Sequence, residues 1–131
     1  MTIVIGYVPS AVGAAALEAG LAEAAAHGEE VVILNSPRRR STVDADLIDT
    51  AAADELVARA AAVGVTARVD HADHGDDLVE TFERVVAAAS ARLVVIGLRR
   101  RSPVGKLVTG SDAQRLLLDL DVPILAVKPA K

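Results

Sequence analysis

What most constrains the fold of this chain is the regular alternation of two kinds of segment. Short runs of β-branched and aliphatic residues are separated by longer stretches in which apolar residues return every three or four positions. Residues 2–8, Thr-Ile-Val-Ile-Gly-Tyr-Val, read as a buried strand ended by Pro9. Ser10 then suits the N-cap of a helix that runs to about His27, where Gly28 stops it. Residues 30–35 form a second strand that ends at Asn35-Ser36-Pro37. Asp44 or Asp46 opens a second helix, with Ile48, Ala52, Leu56, Ala60 and Val63 on one stripe and Gly64 as its stop. Residues 65–70 are a weaker third strand. Gly75-Asp76-Asp77 caps a third helix with Leu78, Phe82, Val85 and Ala89 on one face. Leu93–Gly97 is the most apolar strand, and a long loop, 98–109, follows it. A last helix starts near Ser111 and carries Leu116, Leu117 and Leu120, and residues 122–127 make the final strand.

Such an order predicts an α/β fold, a doubly wound five-stranded parallel sheet with helices on both faces. Right-handed crossovers make 3-2-1-4-5 the simplest strand order. At 131 residues the chain is expected to be a single domain spanning 1–131. It has 26 alanines, which let helices pack close to a sheet.

Composition excludes several functions. With no cysteine, disulfides, thiolate metal sites and cysteine catalysis are absent. Tyr7 and Phe82 are the only residues of the Phe, Trp and Tyr class, so a flavin-stacking or base-stacking nucleic-acid platform is not expected. No apolar run approaches the roughly 20 residues of a spanning helix, since Glu18 and Glu23 interrupt the alanine-rich stretch. The first residues carry no basic segment or cleavage site of a secretory signal. No membrane association and a cytoplasmic location are the expectations. The net charge is −4, yet six of the 14 basic residues sit in two triplets, Arg38-Arg39-Arg40 and Arg99-Arg100-Arg101. An acidic chain with two compact basic clusters is not built to coat DNA, but it suits a small anionic ligand if the clusters meet.

In a sheet of this order a ligand belongs beyond the strand C-termini, where the winding reverses between strands 1 and 4. The loop after strand 1 begins Val8-Pro9-Ser10, and the loop after strand 4 runs from Gly97 to Gly110. Strand 2 ends beside the first arginine triplet, so both triplets fall on one edge. Gly110-Ser111 opens a helix there, and its free N–H groups and dipole suit an anion. Gly97 and Gly110 leave room for close backbone approach. The same features have a plainer reading, in which arginine triplets are a solvated face and Gly-Ser is only a cap.

Other constellations are weaker. Asp70-His71-Ala72-Asp73-His74-Gly75-Asp76-Asp77 has metal-ligand residue types. Asp76-Asp77 is better explained as a helix cap, and His71 and His74 as loop residues facing solvent, so no metal site is expected. Lys128-Pro129 after the last strand is like a phospho-acceptor receiver domain, but the acidic pair that domain needs after strand 1 is replaced by Val8-Pro9-Ser10. Gly105-Lys106 lacks the rest of a P-loop, and no serine sits in a nucleophile elbow. With no nucleophile beside a base, the chain is expected to be at most a slow ATPase.

The run Gly97-Leu98-Arg99-Arg100-Arg101-Ser102-Pro103-Val104-Gly105-Lys106-Leu107-Val108-Thr109-Gly110-Ser111, then Gln114-Arg115-Leu116 and Val122-Pro123-Ile124-Leu125-Ala126-Val127, resembles the universal stress protein family. That family has a Gly, two residues, Gly, nine residues, Gly-Ser pattern here, and the resemblance covers the whole chain. It implies a homodimer paired through the last strand, Val122 to Val127, and ATP or another adenine nucleotide as cofactor, usually with Mg²⁺, in a stress-linked regulator. Some members bind no nucleotide. Gly97, Gly110 and Ser111 match the family's phosphate and ribose motif. Arg100 stands where the second glycine belongs, and Val8, followed by Pro9, stands where binding members have an acid that holds the adenosine. Arg100 either crowds the space that a glycine leaves open or holds phosphate oxygens bidentately, and the loop arginines, Arg99 among them, would help to carry the phosphates. Without a nucleotide, the arginine loop would instead be a protein-interaction surface.

Overall fold

A computed structural model describes residues 1–35, 49–71, 77–98 and 111–129, with backbone alone for Ser111, Asp112 and Ala113. In chain order the elements are β1 (Thr2–Tyr7), α1 (Ala11–His27), β2 (Glu30–Asn35), α2 (Thr50–Ala62), β3 (Ala67–His71), α3 (Leu78–Ala89), β4 (Ala91–Gly97), α4 (Ser111–Asp119) and β5 (Ile124–Val127). The five strands form one sheet in the order β3-β2-β1-β4-β5, and every pairing is parallel. Both the architecture and the strand order are those the alternation predicts.

Strand residues alternate between two apolar layers. Ile3, Ile5, Val31, Ile33, Leu93 and Val95 face α1 and α2, where they meet Ala16, Leu17, Leu21, Ala24, Leu56 and Ala60. Val4, Val32, Leu34, Val94 and Ile96 face the other way, onto Val79, Phe82, Val85 and Leu116. With both faces covered, the central strands are nearly continuous apolar runs. The small residues of α1 set its height above the sheet. A Cβ on Gly20 would stand 2.3 Å from Ile5 Cδ1, so this helix lies closer to the strands than a larger residue allows.

Local signals fix most helix ends. Ser10 Oγ accepts from Gly13 N at 3.3 Å, and Gly28 ends α1 in the left-handed region at φ 65°. Asp77 is the N-cap of α3 and accepts from Glu80 N. Several expectations are corrected. Asp49 caps α2, with Oδ1 2.8 Å from Ala52 N, and Asp44, Asp46 and Ile48 lie outside the described residues. Val63 lies one residue past α2 and is 52% exposed, so it leaves the stripe. Leu117 turns outward on α4, 41% exposed, while Leu116 fills the core. The last strand begins at Ile124, because Pro123 has no N–H to donate and contributes its carbonyl, which accepts from Val94 N at 3.0 Å.

At the rim where strands begin, Arg92 joins β4 to the segment between α1 and β2. Its Nε donates to Glu29 Oε2 at 2.6 Å, and Nη2 donates to Glu29 Oε1 and, at 3.2 Å, to Glu23 Oε1. The hydrogen bonds from Arg92 hold the Glu29 carboxyl below its ordinary value of 4.5 and raise the Arg92 guanidinium in turn. A depressed carboxyl stabilises the fold above its unfolded value and loses that contribution as pH falls through its folded value. Glu29→Gln should therefore lower the melting temperature at pH 7, and the gap to the parent should narrow below pH 4.5. Thermal unfolding at a series of pH values checks this, and a gap that is unchanged down to pH 3 would contradict it.

Candidate functional site

The chain turns from β1 into α1 within a few residues, and packing there is tight. Val8 is half-buried and Pro9 exposed. The Val8 carbonyl accepts from Ser10 N at 2.8 Å, and a Cβ on Gly13 would stand 1.8 Å from that oxygen. Only glycine lets the first turn of α1 rest on the end of β1. Gly97 plays the same part from the neighbouring strand. It closes β4 in register with Val127, and a Cβ there would stand 2.2 Å from the Val12 carbonyl oxygen. Sequence reasoning gave Gly97 an open backbone for a phosphate. In the fold its missing side chain first admits the opening turn of α1.

Every crossover returns to the same rim, so the N-termini of α1, α3 and α4 lie at the C-terminal ends of the strands. Ser111 is the first residue of α4, the position that the loop pattern assigns to it. One turn on, Arg115 Nη2 donates to Asp77 Oδ1, while Asp77 Oδ2 accepts from Glu80 N. A single carboxylate thus caps α3 and fastens α4 beside it. Two helix N-termini are aligned, with their partial positive charge at one edge. Val8, Pro9 and Gly97 lie at this rim around the first turn of α1, and the backbone of Ser111 begins α4 at the same rim. Arg99, Arg100, Gly110 and the first arginine triplet lie outside the described residues.

One cluster at the rim has no counterpart in the sequence reading. Asn35 ends β2, as the expected strand 30–35 does, and is 0% exposed. Its Nδ2 donates to the Tyr7 carbonyl at 3.1 Å, and its Oδ1 lies 3.2 Å from His71 Nδ1. His71 is the last residue of β3, opposite Asn35 in register, rather than a loop residue. A polar residue closing the apolar run Val31-Val32-Ile33-Leu34 was the available signal, because a buried amide needs partners. The metal-like cluster resolves into structural roles where it is described: Asp70 pairs with Arg68 at 2.6 Å and Asp77 caps α3. Asp73, His74 and Asp76 lie outside the described residues.

A sequence model of the universal stress protein family matches residues 1–128. The chain belongs to this family. It is 37% identical over 127 residues to a universal stress protein of Mycolicibacterium smegmatis, a match that covers 97% of each chain. Among solved structures, it is similar to a universal stress protein from Archaeoglobus fulgidus, with a TM-score of 0.79, 26% identity and 98% of each chain covered. A second universal stress protein from that organism, solved in complex with dAMP, has a TM-score of 0.72 and 18% identity over 98% of each chain. At that identity the likeness is one of fold. Among the described residues, no helix is long and apolar enough to cross a membrane.

Proposed function

We propose that this family member is a stress-response regulator that binds an adenine nucleotide, or a related phosphate anion, at the C-terminal edge of β1 and β4. This reading is supported by the positions of Val8-Pro9, Gly97 and the first residue of α4 along the C-terminal rim, where the winding reverses. The backbone N–H groups at Ser111, with Gly110 before it, suit phosphate oxygens, and Arg99 and Arg100 supply charge. Mg²⁺ would accompany a triphosphate. The dAMP complex of a protein with this fold supports the choice of ligand class. A homodimer is part of the proposal, because β5 is an edge strand with Leu125 37% exposed, near an α4 whose Leu118 is 82% exposed. A second copy paired there would cover an edge that otherwise invites uncontrolled pairing.

Native mass spectrometry of the purified protein, titrated with Mg²⁺-ATP, AMP and cyclic AMP, tests this. The expected result is a dimer with one nucleotide per subunit, and a roughly tenfold or greater loss of affinity in Ser111→Ala and Gly110→Val. If both variants bind as the parent does, the phosphates are held elsewhere. A second reading is favoured by Val8, whose apolar side chain stands at the family's acid position and cannot accept from a ribose hydroxyl. In that case the protein is a nucleotide-free dimer whose arginine loop contacts an acidic partner protein. Partner capture that survives Ser111→Ala but is lost when Arg99, Arg100 and Arg101 are neutralised would support it.

A further inference from the structure

We propose that His71 reads the base of the bound nucleotide, favouring a purine with an amino group at its six-position over one with an oxo group. This rests on the nucleotide-binding reading above and adds the residue that selects the base. The argument begins with the buried amide of Asn35. The Tyr7 carbonyl can only accept, so the Asn35 atom 3.1 Å from it must be the nitrogen. Asn35 Oδ1 then faces His71 Nδ1 at 3.2 Å, and an amide oxygen can only accept. The proton of a neutral His71 ring is therefore on Nδ1. Nε2 keeps its lone pair and is left as a hydrogen-bond acceptor on an exposed side chain.

Its place in the sheet gives that acceptor a use. From β4 through β1 and β2 to β3 there are three strand spacings, about 14 Å along the rim. A nucleoside phosphate lying across the strand ends, with its phosphate near the start of α4, extends its base toward β2 and β3. An acceptor fixed there takes a hydrogen bond from an exocyclic amino group. It opposes an oxo group, whose lone pairs face its own. Asn35 is the positioning residue in this arrangement, since it sets which ring nitrogen carries the proton.

AMP and IMP carry the same sugar and phosphate and differ at that one position of the base, so they are the probes. Isothermal calorimetry on the parent should show AMP binding about tenfold or more tightly than IMP. His71→Ala, an exposed position, should bring the ratio close to one, by weakening AMP and relieving the opposition to IMP. Long-range ¹H–¹⁵N NMR of the parent's neutral His71 ring should show protonation at Nδ1, a readout that needs no ligand. A ratio that survives in His71→Ala, or a ring protonated at Nε2, overturns the role of His71 and leaves nucleotide binding standing. A parent that binds neither AMP nor IMP overturns the role of His71, and one that also takes up no Mg²⁺-ATP overturns the nucleotide-binding reading as well.

Discussion

Phe82→Ala should destabilise the fold by about 3–5 kcal/mol, the range for removing a large aromatic side chain from a core. The ring is 1% exposed and is the largest fully buried side chain of the described residues. It lies against Gly6 of β1, where an added Cβ would stand 3.0 Å from Phe82 Cζ, and against the layer of Val4, Val94 and Ile96. Its neighbours in that layer, Val79, Val85 and Leu116, are themselves buried, so filling the space would draw them out of their own packing. Since domains of this size are stable by only about 5–15 kcal/mol, the melting temperature should fall by about 10–20 °C. Urea unfolding of the two proteins measures the difference directly. A loss below about 1 kcal/mol would show that the layer collapses around the gap.

The second large effect is expected at Gly13. Gly13→Ala places a methyl group against the Val8 carbonyl, and neither backbone segment can yield without lifting α1 from the end of β1. The cost should lie at the top of the about 1–3 kcal/mol range for overpacking, or beyond it. Gly28→Ala is the control. Nothing lies within 4 Å of a Cβ there, and its strain comes from φ 65° alone, so about 1–2 kcal/mol is expected. If the two variants unfold at the same denaturant concentration, the close approach of α1 to β1 is wrong. The same geometry bears on any study of Gly97. A substitution there meets the Val12 backbone before it meets a ligand, so lost nucleotide binding in Gly97→Ala would not by itself identify a phosphate contact. Ser111 and Gly110 are the better probes.

The features legible in the sequence are those with local causes. Ser10 and Gly28 bound α1 where expected, because a cap hydrogen-bonds within one turn. The strand order followed from alternation and the handedness of crossovers. Helix faces were less legible where the helix ended sooner than the periodicity did, as at Val63, or presented three leucines with room for one in the core, as at Leu116 to Leu118. The site was legible only in part. Gly97 and Ser111 fall at the rim that topology assigns them, but the contact between Gly97 and Val12 depends on the docking height of α1. Asn35 ends its strand where expected, but its burial and its bonds are not legible, because its partners, Tyr7 and His71, lie 28 and 36 positions away. The polar end of an apolar run hints that the amide is buried, but no local pattern names its partners.

An all-parallel sheet separates its two rims by a full strand length, about 20 Å for six residues. The Arg92–Glu29–Glu23 cluster sits at one rim, and Val8, Gly97, His71 and the start of α4 at the other. Substitutions that far apart with no shared partner are close to additive. A laboratory selection for acid or heat tolerance can draw on the first rim while a separate selection reshapes ligand preference at the second. Gains from the two should combine with little epistasis, which makes the fold a convenient starting point for directed evolution.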